Sequence, residues 1–178
     1  MKVINTKFQG LKIIQHNRFS DKRGSLRETY RKKIVKWNDL IFDFATTSKK
    51  NAFRGFHFQY KNQQAKYVSV LKGKILDCVI DLRKKSKTFG KCFLITLSEE
   101  NCKALYIPKG FAHGYYSYDN LNIIYYKLSD YYNPKVEDGI IWNDKSANLK
   151  MILKKPLISK KDKKLKTLLE FKKVYKGL

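Results

Sequence analysis

The residue types able to move protons gather in the middle of the chain. Arg54-Gly55-Phe56-His57-Phe58-Gln59 sets a histidine among aromatics, with an arginine three residues upstream. An unperturbed histidine titrates near pH ~6.5, which suits a general base. Such a base needs an orienting partner on its second ring nitrogen, and a carboxylate from elsewhere in the chain can serve. Without one, His57 reads equally well as a packed core histidine. Tyr125 and Tyr126 close an apolar stretch. On a strand one of them faces in and the other out, and an inward tyrosine is a candidate acid, although packing aromatics are commoner. His113 sits in Gly110-Phe111-Ala112-His113-Gly114, where glycine lets a ligand approach the backbone closely. Its alternative is turn or strand packing. Lys66 opens an apolar strand, where an unpaired ammonium is costly, so it is either paired or facing an anion.

Other chemistries lack their motifs. The chain has no Gly-x-Gly-x-x-Gly, no P-loop and no Gly-x-Ser-x-Gly elbow. Its histidines are His16, His57 and His113, and none stands two or four residues from another, so neither metal nor cofactor is expected. Cys78, Cys92 and Cys102 are odd in number and never spaced Cys-x-x-Cys, which reads as buried reduced thiols. The net charge of +24 admits a basic nucleic-acid-binding β-barrel. Lysine, however, dominates arginine and is spread along the whole chain, thickening at Lys154-Lys155, Lys160-Lys161, Lys163-Lys164 and Lys172-Lys173. A solvated lysine-rich surface is the preferred reading, with no specific nucleic acid as partner. Its positive field still helps to collect a phosphorylated substrate. No apolar run approaches the ~20 residues that span a bilayer, and the N-terminus lacks a signal-peptide core. A cytoplasmic protein with no membrane partner is the expectation.

The elements that must hold these groups are strands. Residues 11–16 read as one strand, with a turn at Asp21-Lys22-Arg23-Gly24 and extended chain over 25–30. Residues 31–51 are ambiguous: Trp37 to Phe44 suit a strand, and Thr46 to Asn51 look like loop. From Ala52 onward the pattern is β throughout, over 52–59, 66–71, 74–82, 92–98, 103–107, 111–117 and 121–128. Lys72-Gly73 predicts a hairpin between the second and third of these. Strict alternation sets His57 on a face with Gly55 and Gln59, and Arg54, Phe56 and Phe58 on the other. Leu165, Leu168, Leu169 and Phe171 among lysines predict an amphipathic helix over 160–173. Many short strands indicate a sandwich or barrel, here one domain over residues 1–178.

Several motifs, in order over about residues 10–162, resemble one family. They are Arg23-Gly24, Arg54-Gly55-Phe56-His57-Phe58-Gln59, Gln64-Ala65-Lys66-Tyr67-Val68, Gly73-Lys74-Ile75-Leu76-Asp77, Asp81-Leu82-Arg83 and Ser86-Lys87-Thr88-Phe89-Gly90-Lys91. Ile107-Pro108-Lys109-Gly110-Phe111-Ala112-His113-Gly114 follows, then Tyr126-Lys127-Leu128-Ser129-Asp130-Tyr131-Tyr132-Asn133-Pro134, Ile141-Trp142-Asn143-Asp144 and Ile158-Ser159-Lys160-Lys161-Asp162. Together they resemble the deoxythymidine-diphosphate-4-dehydrorhamnose 3,5-epimerases, nucleotide-sugar epimerases.

The resemblance implies a mainly β, cupin-like double-stranded β-helix (a jelly-roll barrel) with a short C-terminal helix. It implies a metal-free, cofactor-free isomerase acting on a nucleotide-diphosphate 4-keto-6-deoxy sugar. By resemblance, His57 is the base, Asp162 orients it, Tyr126 returns a proton on the opposite face, and Lys66 stabilises the enolate oxygen. Arg23, Arg54 and His113 resemble the diphosphate and sugar contacts, Tyr132 the aromatic that stacks on the nucleobase, and Glu28 a ligand contact. The family is a dimer that exchanges N-terminal strands, so Arg23 and Glu28 are expected to serve the partner's site. The chain departs from the family's Gln-x-Asn-x-Ser-type stretch, having Phe42, Phe44 and Thr46 there, and Lys160-Lys161 replaces an acidic–basic pair. A 3,4-ketoisomerase of the same superfamily is the nearest alternative.

Overall fold

Period-two alternation of β-branched and aromatic residues needs a sheet with a buried face. A computed structural model describes residues 1–147, 153 and 155–178; Lys154, in one of the lysine clusters, lies outside them. The strands are β1 (Lys2–Asn5), β2 (Lys12–Gln15), β3 (Arg18–Asp21), β4 (Gly24–Arg27), β5 (Phe42–Ser48), β6 (Phe53–Gln59) and β7 (Lys66–Lys72). They continue as β8 (Lys74–Asp81), β9 (Cys92–Ser98), β10 (Lys103–Ile107), β11 (Phe111–Ser117), β12 (Asn122–Leu128) and β13 (Glu137–Gly139), before one helix, α1 (Leu168–Tyr175).

A six-stranded sheet in the order β1-β2-β10-β7-β12-β5 stands with a five-stranded sheet in the order β13-β6-β11-β8-β9. This is the jelly-roll, cupin-like architecture expected, and strands adjacent in each sheet are antiparallel. Val68, Val70, Ile75, Val79, Leu97, Leu105, Phe111 and Ile124 pack together from both sheets. Each such side chain, fully buried, contributes about 1.5–3 kcal/mol. The other face of the five-stranded sheet puts Phe53, Phe56, Phe58 and Ile80 against Leu168 and Phe171 of α1. The segment around Val35 and Trp37 covers Tyr67, Ala104 and Tyr106 of the six-stranded sheet. Among the described residues no helix is long and apolar enough to cross a membrane.

Three local expectations are corrected. β7 and β8 are not a hairpin: they belong to different sheets, and the turn at Gly73 carries the chain between them. Both strands are buried on both faces over much of their length, so their pattern does not say which neighbour each takes. Gly73 is needed at that crossing, since its φ is +80° and a Cβ there would lie 2.5 Å from the Leu121 carbonyl oxygen. The ambiguous 31–51 region resolves as a strand over Phe42–Ser48, later than its apolar run suggests. The helix begins only at Leu168, where Thr167 and Glu170 form a capping box. Before it, Asp162–Lys164 make a 3-10 turn, and Lys161 and Lys166 pair with Glu137 and Asp138. That segment is a strap tied to β13, which brings Asp162 to the barrel.

Candidate active site

The inward positions of both sheets are not all apolar, and where they turn polar they line a cavity of about 770 Å³. His57 and Arg54 of β6, Lys66 of β7, His113 of β11 and Tyr126 of β12 line it. Phe42 and Phe44 of β5, Tyr132, Glu137, Lys161 and Asp162 complete much of the rest. Strict alternation sets Arg54 opposite His57, yet both reach the cavity. The pairing of β11 with β6 steps from His113↔His57 to Tyr115↔Arg54, three residues on β6 against two on β11. This bulge puts residues three apart on one face. Gly55 lies inside it with φ +117°, and a Cβ there would meet the Gly114 Cα and the His113 oxygen, each at 2.6 Å.

His57 Nε2 lies 2.9 Å from Asp162 Oδ1, and the Gly55 N–H donates to Asp162 Oδ2 at 3.2 Å. Burial pushes the Asp162 carboxyl up, but the His57 hydrogen bond, its charge and the Gly55 N–H outweigh this and hold it below the usual range. An ionised Asp162 accepts only, so Nε2 carries the proton and the Nδ1 lone pair is left for a substrate. Nδ1 is 3.9 Å from Glu137 Oε1, so an imidazolium formed here lies between two carboxylates. On the facing sheet, Tyr126 stacks on Phe44 (centroids 4.8 Å, planes 11° apart) and meets His113 edge-on at 5.9 Å. Burial, with Tyr115 and Asp77 nearby, pushes the Tyr126 phenol well above its ordinary range, so it holds its proton at neutral pH. Tyr125 faces out, donating to Asp43.

The arrangement joins a base, a protonated acid and a cation in one cavity, the requirements for moving a proton on carbon beside a carbonyl. A family model described as dTDP-4-dehydrorhamnose 3,5-epimerase matches residues 5–170. The chain belongs to this family. It is 36% identical over 174 residues to the dTDP-4-dehydrorhamnose 3,5-epimerase of Methanothermobacter thermautotrophicus, covering 94% of each chain. It is 38% identical over 167 residues to that of Neisseria gonorrhoeae, covering 91% of this chain but 51% of that relative, about half its length. A Legionella pneumophila dTDP-6-deoxy-D-glucose-3,5-epimerase, solved in complex with dTDP-4-keto-L-rhamnose, superposes with a TM-score of 0.90. That pair is 34% identical, over 94% of this chain and 93% of the other.

Of the residues singled out in the sequence, His57, Lys66, Arg54, His113, Tyr126, Tyr132 and Asp162 line this one cavity, whereas Arg23 and Glu28 are not among its lining residues. Arg23 is exposed on the β3–β4 hairpin and paired to Asp21, and Glu28 is paired to Arg31. Two carboxylates escape sequence reasoning. Glu137 accepts from Tyr132 Oη at 2.9 Å and pairs with Lys161. Its Lys161 partner, with His57 and Tyr132, outweighs burial and holds Glu137 below the ordinary range. Asp77, fully buried, sits 2.9 Å from His113 Nε2. Its signal was present: an acid at an inward position between Ile75 and Val79.

Lys66 carries a measurable consequence. Burial pushes its ammonium down to about 8, against the pull of Glu137 and Asp77. The unfolded chain therefore binds more protons than the folded one between pH ~8 and ~10.4, and stability rises with pH there. Lys66→Met is expected to stabilise the fold by on the order of 2 kcal/mol at pH 7, with the gain fading as pH rises through that window. Denaturant titrations at pH 7 and pH 10 check this.

Proposed function

We propose that the chain is a cytoplasmic isomerase that inverts carbon 3, carbon 5 or both in a nucleotide-linked 4-keto-6-deoxy sugar, in deoxysugar and polysaccharide synthesis. The observation that carries this reading is a histidine–carboxylate pair and a protonated tyrosine on opposite sheets of one cavity. A ketone at carbon 4 acidifies the hydrogens on carbons 3 and 5. His57 Nδ1 takes one as a proton, while its Nε2–H keeps donating to the Asp162 carboxylate. The electron pair moves onto the carbonyl oxygen, and the Lys66 ammonium stabilises the charge where it develops. The Tyr126 O–H then gives its proton to carbon from the opposite face, and solvent restores the phenol and the imidazole.

Arg54 suits the diphosphate: Ser48 Oγ and the Thr47 carbonyl hold its guanidinium at the cavity edge, at 3.0 and 3.2 Å. His113 contacts the sugar, and Tyr132 the nucleobase. Arg23 and Glu28 act in a second copy's cavity, in a homodimer that exchanges N-terminal strands. Supporting this, the β3–β4 hairpin pairs Phe19 with Leu26, which are 64% and 67% exposed. Apolar side chains so placed gain from a partner surface.

Uptake of solvent deuterium at carbons 3 and 5, followed by NMR in heavy water, is the test. Uptake with the carbonyl retained at carbon 4 is expected; a carbonyl moved to carbon 3 identifies a ketoisomerase. No uptake with any nucleotide-linked 4-keto sugar sinks the proposal.

A further inference from the structure

Tyr126 differs from its neighbouring tyrosines in what holds it. Tyr115 Oη is tied to Ser48 Oγ at 2.8 Å and to Thr46 Oγ1 at 3.0 Å, and Tyr132 Oη donates to Glu137 at 2.9 Å. On the outer face Tyr125 donates to Asp43 at 3.0 Å. Among the described residues none hydrogen-bonds the Tyr126 hydroxyl, although the residue is only 5% exposed. A phenol that hands its proton to carbon gains from this, since an acceptor would compete for the proton. Its direction must then come from ring packing. Phe44 stands directly opposite Tyr126 across the β5–β12 ladder, and the two rings lie face to face, centroids 4.8 Å and planes 11° apart. His113 meets the same ring only with an edge, at 5.9 Å. Phe42 backs Phe44, their centroids 5.6 Å apart. β5 is an edge strand and Phe44 is 38% exposed, so this one ring stands between a face of Tyr126 and water.

We infer that Phe44 is a positioning residue for the acid: its face sets the plane of the Tyr126 ring, and so decides how often a proton taken by His57 is replaced from the opposite side. This rests on the epimerase reading above. An enolate formed by His57 has two fates. Return of a proton from His57 restores the original configuration. Donation by Tyr126 inverts it: the enolate electron pair forms the new C–H bond as the Tyr126 O–H bond breaks. A ring free to tilt presents its hydroxyl to carbon for a smaller share of the enolate's lifetime, and a misplacement of about 1 Å costs up to ~100-fold. Proton removal takes place on the other wall and does not use that ring. Loss of the Phe44 face therefore lowers inversion far more than exchange.

The experiment compares the wild-type protein with Phe44→Leu, which keeps apolar bulk but removes the flat face, and Phe44→Tyr, which keeps the face. Each acts on dTDP-linked 4-keto-6-deoxyglucose in heavy water, and NMR reads deuterium content and configuration in the same sample. For Phe44→Leu, inversion is expected to fall roughly ten- to a hundredfold while uptake stays within about threefold and KM within about twofold. Phe44→Tyr is expected to keep the wild-type ratio of inversion to uptake. That ratio does not depend on how much enzyme is folded or how tightly substrate binds, so a purely structural loss leaves it unmoved. Equal falls in uptake and inversion for Phe44→Leu overturn the inference, Phe44 then being packing. A raised KM with the ratio unchanged overturns it too, Phe44 then being a ligand contact. Absence of wild-type uptake with this and every other nucleotide-linked 4-keto sugar overturns the epimerase reading beneath it. The ring is then followed by NMR of ring-labelled tyrosine, with Tyr126→Phe assigning the signal. A Tyr126 ring as ordered in Phe44→Leu as in the wild type overturns the positioning role as well.

Discussion

Deuterium uptake at both carbon 3 and carbon 5 is expected to fall roughly a hundred- to ten-thousandfold when His57 is replaced by alanine. Both centres are affected because the base acts before any inversion. The ring is half-buried at the cavity, with Nε2 committed to Asp162 and Nδ1 3.9 Å from Glu137 Oε1, which lines the same cavity. Alanine also leaves the buried Asp162 with only backbone and hydroxyl neighbours, which costs about 1–3 kcal/mol. His57→Gln separates the two effects, since its amide can still donate to Asp162 but cannot take a proton near neutral pH. It is expected to be as inactive as His57→Ala and to melt close to the wild type. If either variant keeps wild-type uptake, His57 is a packing residue and the base lies elsewhere.

The strands that line the cavity were readable because their chemistry repeats every second residue. β6 through β12 carry β-branched and aromatic residues at that period, and turn residues separate them. The same rule sets Lys66 on an inner face and one of Tyr125 and Tyr126 inward without saying which; Lys66 and Tyr126 face the cavity. The rule fails where geometry is set by a neighbour. Arg54 joins His57 because β11 and β6 slip by one residue, which nothing within either strand announces. The β7–β8 connection misleads because both strands are buried on both faces, and only the choice of sheet distinguishes a hairpin from a crossing. β5 lies at a sheet edge with much of its length exposed, so burial does not impose alternation on it. Asp162 is 105 residues from His57 and has no local signature of a catalytic partner. It was reached through family resemblance alone, as were Arg23 and Glu28. Glu137 was missed because its part is defined by Lys161, Tyr132 and His57, which meet it only in three dimensions.

Tyr126→Phe is expected to leave deuterium uptake within about tenfold of the wild type while inversion falls roughly a hundredfold or more. The two quantities separate because they use different walls. In the proposed mechanism His57, on β6 of the five-stranded sheet, removes the proton, exchanges it with solvent, and can return deuterium to the face it came from. That return labels the carbon without inverting it. Inversion needs a donor on the other face, where Tyr126 stands on β12 of the six-stranded sheet. Phenylalanine keeps the ring that stacks on Phe44 and meets His113, and removes only the O–H, so the cavity wall stays packed. Burial holds the native phenol protonated well beyond neutral pH, so wild-type inversion should not decline through its ionisation below about pH 9. NMR on one sample reads both outcomes, as deuterium content and as the configuration at carbons 3 and 5. Equal loss of uptake and inversion would make Tyr126 part of proton removal. Inversion at the wild-type rate would place the acid on another residue, or on water held against this wall.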